Sequence, residues 1–107
     1  MLLTKEKVLV VGLGEVGRPL FELLRESETF EVYGFDVDES RMREVGQTAI
    51  PSQVNVMHVC IPCLSQDEFV NVVAGYVERF KPELVIINST VPLGTTMDVH
   101  KRCGCLV

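Results

Sequence analysis

Val8-Leu9-Val10-Val11-Gly12-Leu13-Gly14-Glu15-Val16-Gly17, followed nineteen residues later by Asp36, is the stretch that decides the fold. The run from Lys7 to Val11 is apolar without alternation, which suits a strand buried on both faces of a parallel sheet. It ends in a G-x-G-x-x-G whose glycines have separate mechanical tasks. Gly12 permits the tight turn off the strand, Gly14 lets the backbone approach a pyrophosphate, and Gly17 lets the following helix pack closely on the sheet with its unpaired N–H groups aimed at the anion. Val16, Leu20, Leu23 and Leu24 then recur at helical spacing until Ser27 to Thr29, with Pro19 tolerated near the first turn. Glu31 to Asp36 is β-rich and ends in a carboxylate. At the tip of a second strand, Asp36 can accept hydrogen bonds from adenosine ribose hydroxyls and repel a 2′-phosphate, so the expected cofactor is NAD rather than NADP. Arg41 and Arg43 pull mildly the other way, but Asp38 and Glu39 keep the local field acidic. Glu15, beside the expected pyrophosphate, gains from the helix dipole and costs the phosphates little if it points outward.

Downstream, Asp38 to Val45 suits a short helix, and a minimal third strand is expected near Thr48 to Ile50. Val54 to Ile61 is the next strand, stopped by Pro62. Ser65-Gln66-Asp67-Glu68 is a capping box, and Phe69, Val72, Val73, Tyr76 and Phe80 continue it at helical spacing. Lys81-Pro82 ends that helix, Leu84 to Ile87 reads as a buried strand, and Gly94 to Arg102 as a last helix stopped by Gly104. Cys105-Leu106-Val107 looks like the start of a sixth strand. The alternation predicts an α/β, Rossmann-type, doubly wound parallel sheet of order 3-2-1-4-5-6, formed by residues 1–107 as a single dinucleotide-binding domain.

Composition narrows the class. The chain has 107 residues, 47% hydrophobic and 23% charged, which excludes a disordered polyelectrolyte. The net charge of -5 comes without a Lys/Arg cluster, so no nucleic-acid partner is expected. Met1-Leu2-Leu3 is too short for a signal-peptide core, and nowhere do 18 apolar residues run together, so the expected location is the cytoplasm, with no membrane partner. Of the four cysteines, Cys60 and Cys63 sit at the carboxyl end of a strand, and Cys103 and Cys105 near the opposite edge of the sheet. A strand spans roughly 17–20 Å, which argues against one shared zinc site, and reduced thiols are the default. Cys63 reads as a small buried hydrophobe, a reactive thiol being the alternative. His58 reads as a core histidine and His100 as a surface one.

In a sheet of this order the cofactor crosses the carboxyl ends of the strands, so Cys60 to Ser65 and Asn88 to Thr96 face the nicotinamide half. The second loop carries hydroxyls and amides suited to ribose or carboxamide groups, and equally suited to turn chemistry and a helix cap. On Gly12-Leu13-Gly14 with Val16-Gly17, on Asp36 with Arg41, and above all on Ser89-Thr90-Val91-Pro92-Leu93-Gly94-Thr95-Thr96, the chain resembles the N-terminal domain of the UDP-glucose/GDP-mannose dehydrogenase family, whose motif is S-T-V-P-x-G-T-T. The resemblance implies NAD contacts from Asp36, Arg41 and Thr90, a loop from Ile61 through Pro62 to Cys63 over the nicotinamide ribose, and NAD-dependent oxidation of a nucleotide sugar. Two departures accompany it. Ile61-Pro62-Cys63-Leu64 stands where the family has V-P-T-P, and the segment between the second and fourth strands is short.

The family's catalytic cysteine, lysine and asparagine lie in parts of a longer chain that this sequence lacks, so no catalytic residue is assigned and the chain is expected to be catalytically incomplete. A nucleotide-sugar partner would need a substrate domain, and a homodimer is left open. The cofactor-binding residues expected are Gly12, Gly14, Glu15, Val16, Gly17, Asp36, Val37, Arg41, Ile61, Pro62, Cys63, Ser89 and Thr90. The alternative is a non-catalytic NAD-sensing module of the kind that regulates transporters, which also uses G-x-G-x-x-G and a strand-two acid. The Ser89 to Thr96 motif weighs against it.

Overall fold

Residues 5–46 and 49–107 are described by the computed structural model. Four strands, β1 (Lys7–Val11), β2 (Glu31–Phe35), β3 (Val56–Val59) and β4 (Leu84–Ile87), alternate with α1 (Gly17–Glu26), α2 (Glu39–Val45), α3 (Gln66–Phe80) and α4 (Thr95–Cys103). All pairings are parallel, in the order β2-β1-β3-β4. β1 therefore has a partner on each side and is buried from Val8 to Val11, as its unbroken apolar run requires.

Alternation along the strands divides the interior into two layers. On one face Leu9, Val11, Met57, Val59 and Val85 pack against Phe69, Val70, Val73 and Phe80 of α3 and Val99 of α4. On the other, Val10 packs with Leu13, Phe21 of α1 and Val45 of α2. The buried α3 side chains Phe69, Val73 and Phe80 each contribute roughly 1.5–3 kcal/mol by leaving water.

Helix ends follow their sequence signals. Asp38 accepts the Ser40 N–H at 2.9 Å to cap α2, and its hydrogen bonds with Ser40 hold its carboxyl below the usual carboxylate range. Ser65 accepts the Glu68 N–H at 3.2 Å to cap α3. Gly104, left-handed at φ 71°, closes α4.

The expected strand order needs correction, because among the described residues four strands form rather than six. Thr48 lies outside the described residues, and Ala49 and Ile50 have no regular structure. Only seven residues separate Gly46, the left-handed stop of α2, from Val54, and Pro51 among them donates no hydrogen bond to a ladder. At the other edge Leu106 forms one parallel bridge to Leu84, with the Val85 N–H on the Leu106 carbonyl at 2.8 Å, too little for a strand.

Candidate functional site

The connections leaving the carboxyl ends of all four strands meet around a cavity of about 840 Å³. Its floor is the glycine loop, and the three glycines are there for different reasons. At Gly12, φ is 92° and a Cβ would lie 2.4 Å from the Cys60 carbonyl oxygen; at Gly17 it would lie 1.6 Å from the Gly12 carbonyl oxygen. Both positions are closed to any side chain by the protein itself. Gly14 differs, because a Cβ there would meet only the Arg41 guanidinium, at an ordinary 3.6 Å, and Gly14 lines the cavity. Nothing in the protein's own packing requires glycine at that position.

Asp36 is 8% exposed and is the loop's anchor. Its Oδ2 accepts the Leu13 N–H at 2.7 Å and pairs with Arg41 Nη1 at 3.3 Å, while Oδ1 accepts the Asp38 N–H at 2.8 Å. A carboxylate offers about four acceptor positions, so Oδ1 keeps one for a ligand hydroxyl. The start of α1 is open. Val16 gives it no side-chain cap, its first turn carries no acid, and among the described residues no acceptor meets the Gly14, Glu15 or Val16 N–H. Those amides are the donors an anion at the helix terminus uses.

Twelve of the thirteen residues expected from the sequence line this cavity: Gly12, Gly14, Glu15, Val16, Asp36, Val37, Arg41, Ile61, Pro62, Cys63, Ser89 and Thr90. Gly17 does not, because its place is against Gly12, one layer below. Val37 stands 81% exposed at the mouth. Val11, Phe35, Cys60, Tyr76 and Asn88 line it as well; of these, the sequence places Cys60 and Asn88 only within the loops expected to face the cofactor, and the other three not at all. By its spacing Tyr76 belongs to the apolar stripe of α3. It packs edge-on against Phe35, centroids 5.7 Å apart, and its phenol is pushed above the ordinary value by burial and then by the Asp36 charge. Burial alone pushes the Cys60 thiol up to about 11, so it stays protonated at neutral pH.

His58 is half-buried rather than a core residue, with Nδ1 2.9 Å from Asn88 Oδ1. His100 is exposed, with Nδ1 2.6 Å from the Cys105 carbonyl oxygen. Among the described residues no three His, Cys, Asp or Glu side chains gather as metal ligands, and no helix is long and apolar enough to cross a membrane.

The structure is similar to that of the TrkA-N domain of the inner membrane protein YbaL from Escherichia coli, with a TM-score of 0.67 at 18% identity over 99% of this chain and 89% of that one. The shared feature is the fold. No protein-family model matches the chain, and no curated protein does.

The resemblance to the UDP-glucose/GDP-mannose dehydrogenase domain is thereby overturned, and the oxidoreductase and nucleotide-sugar expectations that rested on it fall with it. Its most specific support, Ser89 to Thr96, has a local cause. Thr95 Oγ1 donates to the Pro92 carbonyl at 2.7 Å, the Thr95 N–H reaches the same oxygen at 3.2 Å, and Gly94 enters α4 at φ 89°. Pro92, Gly94 and Thr95 of the motif are thus accounted for by the turn from β4 into α4.

Proposed function

We propose that this chain is a dinucleotide-binding module that takes NAD and signals its presence, rather than an enzyme domain that turns it over. Gly14 carries the proposal: it is the one glycine of the loop that lacks an internal reason to be glycine, and a pyrophosphate above it supplies one. The amides opening α1 would hold the phosphates, and Asp36 Oδ1 the adenosine ribose. Val37, Tyr76 and Ile61 offer apolar surface to the adenine, and Ser89, Thr90 and Cys63 flank the far half. Arg41, paired with Asp36, neutralises part of the charge that would otherwise face the phosphates.

The sensing role is favoured by the likeness to the TrkA-N domain of an inner membrane protein. The cytoplasm, where NAD is at hand, is the proposed location. Calorimetry with NAD and NADP tests the assignment. NAD is expected to bind about tenfold or more tightly than NADP, whose 2′-phosphate meets the Asp36 carboxylate. Equal affinities, or no heat with either nucleotide, would overturn it.

A further inference from the structure

The cavity has a second anchored polar group, at the end opposite Asp36. Asn88 follows β4 and lines the cavity; its backbone N–H donates to the Val59 carbonyl at 2.8 Å, and Ser89 Oγ donates to the same oxygen at 3.3 Å. Its carboxamide is held by a residue outside the cavity. His58, in the middle of β3 between Val10 and Ile86, projects to the face opposite Met57 and Val59 and brings Nδ1 to 2.9 Å from Asn88 Oδ1. Among the described residues nothing else engages the Asn88 side chain.

An amide and an imidazole facing each other must agree on one proton. If Nδ1 carries it, Oδ1 accepts and both Nδ2 hydrogens are free. If Nε2 carries it, the amide turns over and offers its oxygen instead.

We propose that His58 is a positioning residue for ligand binding: its Nδ1–H fixes Asn88 Oδ1, so that the Asn88 Nδ2 hydrogens become donors to an acceptor oxygen in the distal, nicotinamide-nucleoside half of a bound dinucleotide. The proposal rests on the dinucleotide assignment above and adds to it which half is read, and by what. Sheet order supports the division. Asp36 leaves β2 and Asn88 leaves β4, three strand spacings apart, or roughly 14 Å. A mononucleotide held at Asp36 does not span that distance, whereas a dinucleotide does.

Calorimetry with NAD and with AMP, on the wild-type chain and on Asn88→Ala, His58→Leu, His58→Asn and the Asn88→Ala/His58→Leu double variant, tests it. The NAD-over-AMP affinity ratio is expected to fall about tenfold in Asn88→Ala and by a similar factor in His58→Leu. The double variant should lose no more than Asn88→Ala alone, since the two residues act as one unit. His58→Asn, whose Nδ2 takes the place of the imidazole Nδ1, should recover most of the ratio.

Nitrogen-15 NMR supplies a readout that a purely structural role would not move and that does not depend on the leucine variant folding. The His58 ring is expected as the Nδ1–H form, with the Asn88 side-chain amide signals shifting on addition of NAD and not of AMP. An Nε2–H ring, additive losses, or equal losses of NAD and AMP affinity would overturn the proposal while leaving the dinucleotide site standing. A wild-type chain that binds neither nucleotide removes both.

Discussion

The two halves of the cavity are built on opposite plans. The β1–α1–β2 half is interlocked through the backbone: Gly17 lies on Gly12, Gly12 on Cys60, and Asp36 ties the Leu13 N–H to the end of β2. The half made by the connections after β3 and β4 starts from the Asn88 N–H on the Val59 carbonyl and is held beyond it mainly by side chains, His58 on Asn88, Ser89 on Val59 and Thr95 on Pro92. A backbone lock tolerates few residues and leaves a pattern; a side-chain lock tolerates many and leaves little.

The contrast predicts that substitutions at the interlocked positions of the first half strike folding, while those in the second half, and at Gly14, which faces only the cavity and Arg41, strike binding. Gly17→Ala is the most severe. A methyl group 1.6 Å from a backbone oxygen has no flexible neighbour to displace, and a loss of roughly 3 kcal/mol or more is expected in urea unfolding. A stability change under about 1 kcal/mol would break the interlock described here.

Asp36→Ala comes next. It leaves the buried Leu13 N–H without its acceptor, at a cost of about 1–3 kcal/mol, and it removes the ribose partner as well. A variant with wild-type stability that has lost NAD would mean that the carboxylate serves only the ligand.

Cys60 gives a pH signature on the border between the halves. Its folded value of about 11 is above the ordinary 9.0, so the folded state keeps a proton that the unfolded state gives up as pH rises beyond 9. Stability is thus unaffected below that point and declines as pH climbs from about 9 to about 11. Replacing Cys60 with Ser should flatten this part of the urea-midpoint profile. A decline of the same slope in that variant would assign it elsewhere.

The same contrast explains how much was legible in the sequence. In the first half Gly12 and Gly17 were legible, because each answers a backbone requirement at fixed spacing; Asp36 was marked for a ribose, and its hold on the Leu13 N–H left no local pattern. Ser65 and Gly104 were legible for the same reason, as helix ends need specific groups. The strand expected near Thr48 to Ile50 rested on fold analogy without a β-rich run, and Ala49 and Ile50 carry no regular structure.

Tyr76 was hidden because an aromatic residue at helical spacing looks the same whether it faces the core or a cavity. Asn88 was placed by the sequence only within a loop expected to face the ligand; its pairing with His58, thirty residues away on another strand, leaves no local pattern. The Ser89 to Thr96 motif misled for a related reason. Its Pro92, Gly94 and Thr95 serve the turn into α4, a local requirement that says nothing of the ligand.

Gly14→Ala tests the central claim most directly, and its effect on the fold is the smallest of all. The new methyl meets Arg41 at an ordinary distance, and Gly14 has no positive φ, so stability should stay within about 0.5 kcal/mol of wild type, or rise slightly through a less flexible unfolded chain. The same methyl stands where the pyrophosphate must pass, so NAD affinity measured by calorimetry should fall at least about tenfold. Stability retained with affinity lost is the predicted result. Stability and affinity both unchanged would contradict it, because the glycine would then be kept for neither the fold nor the ligand.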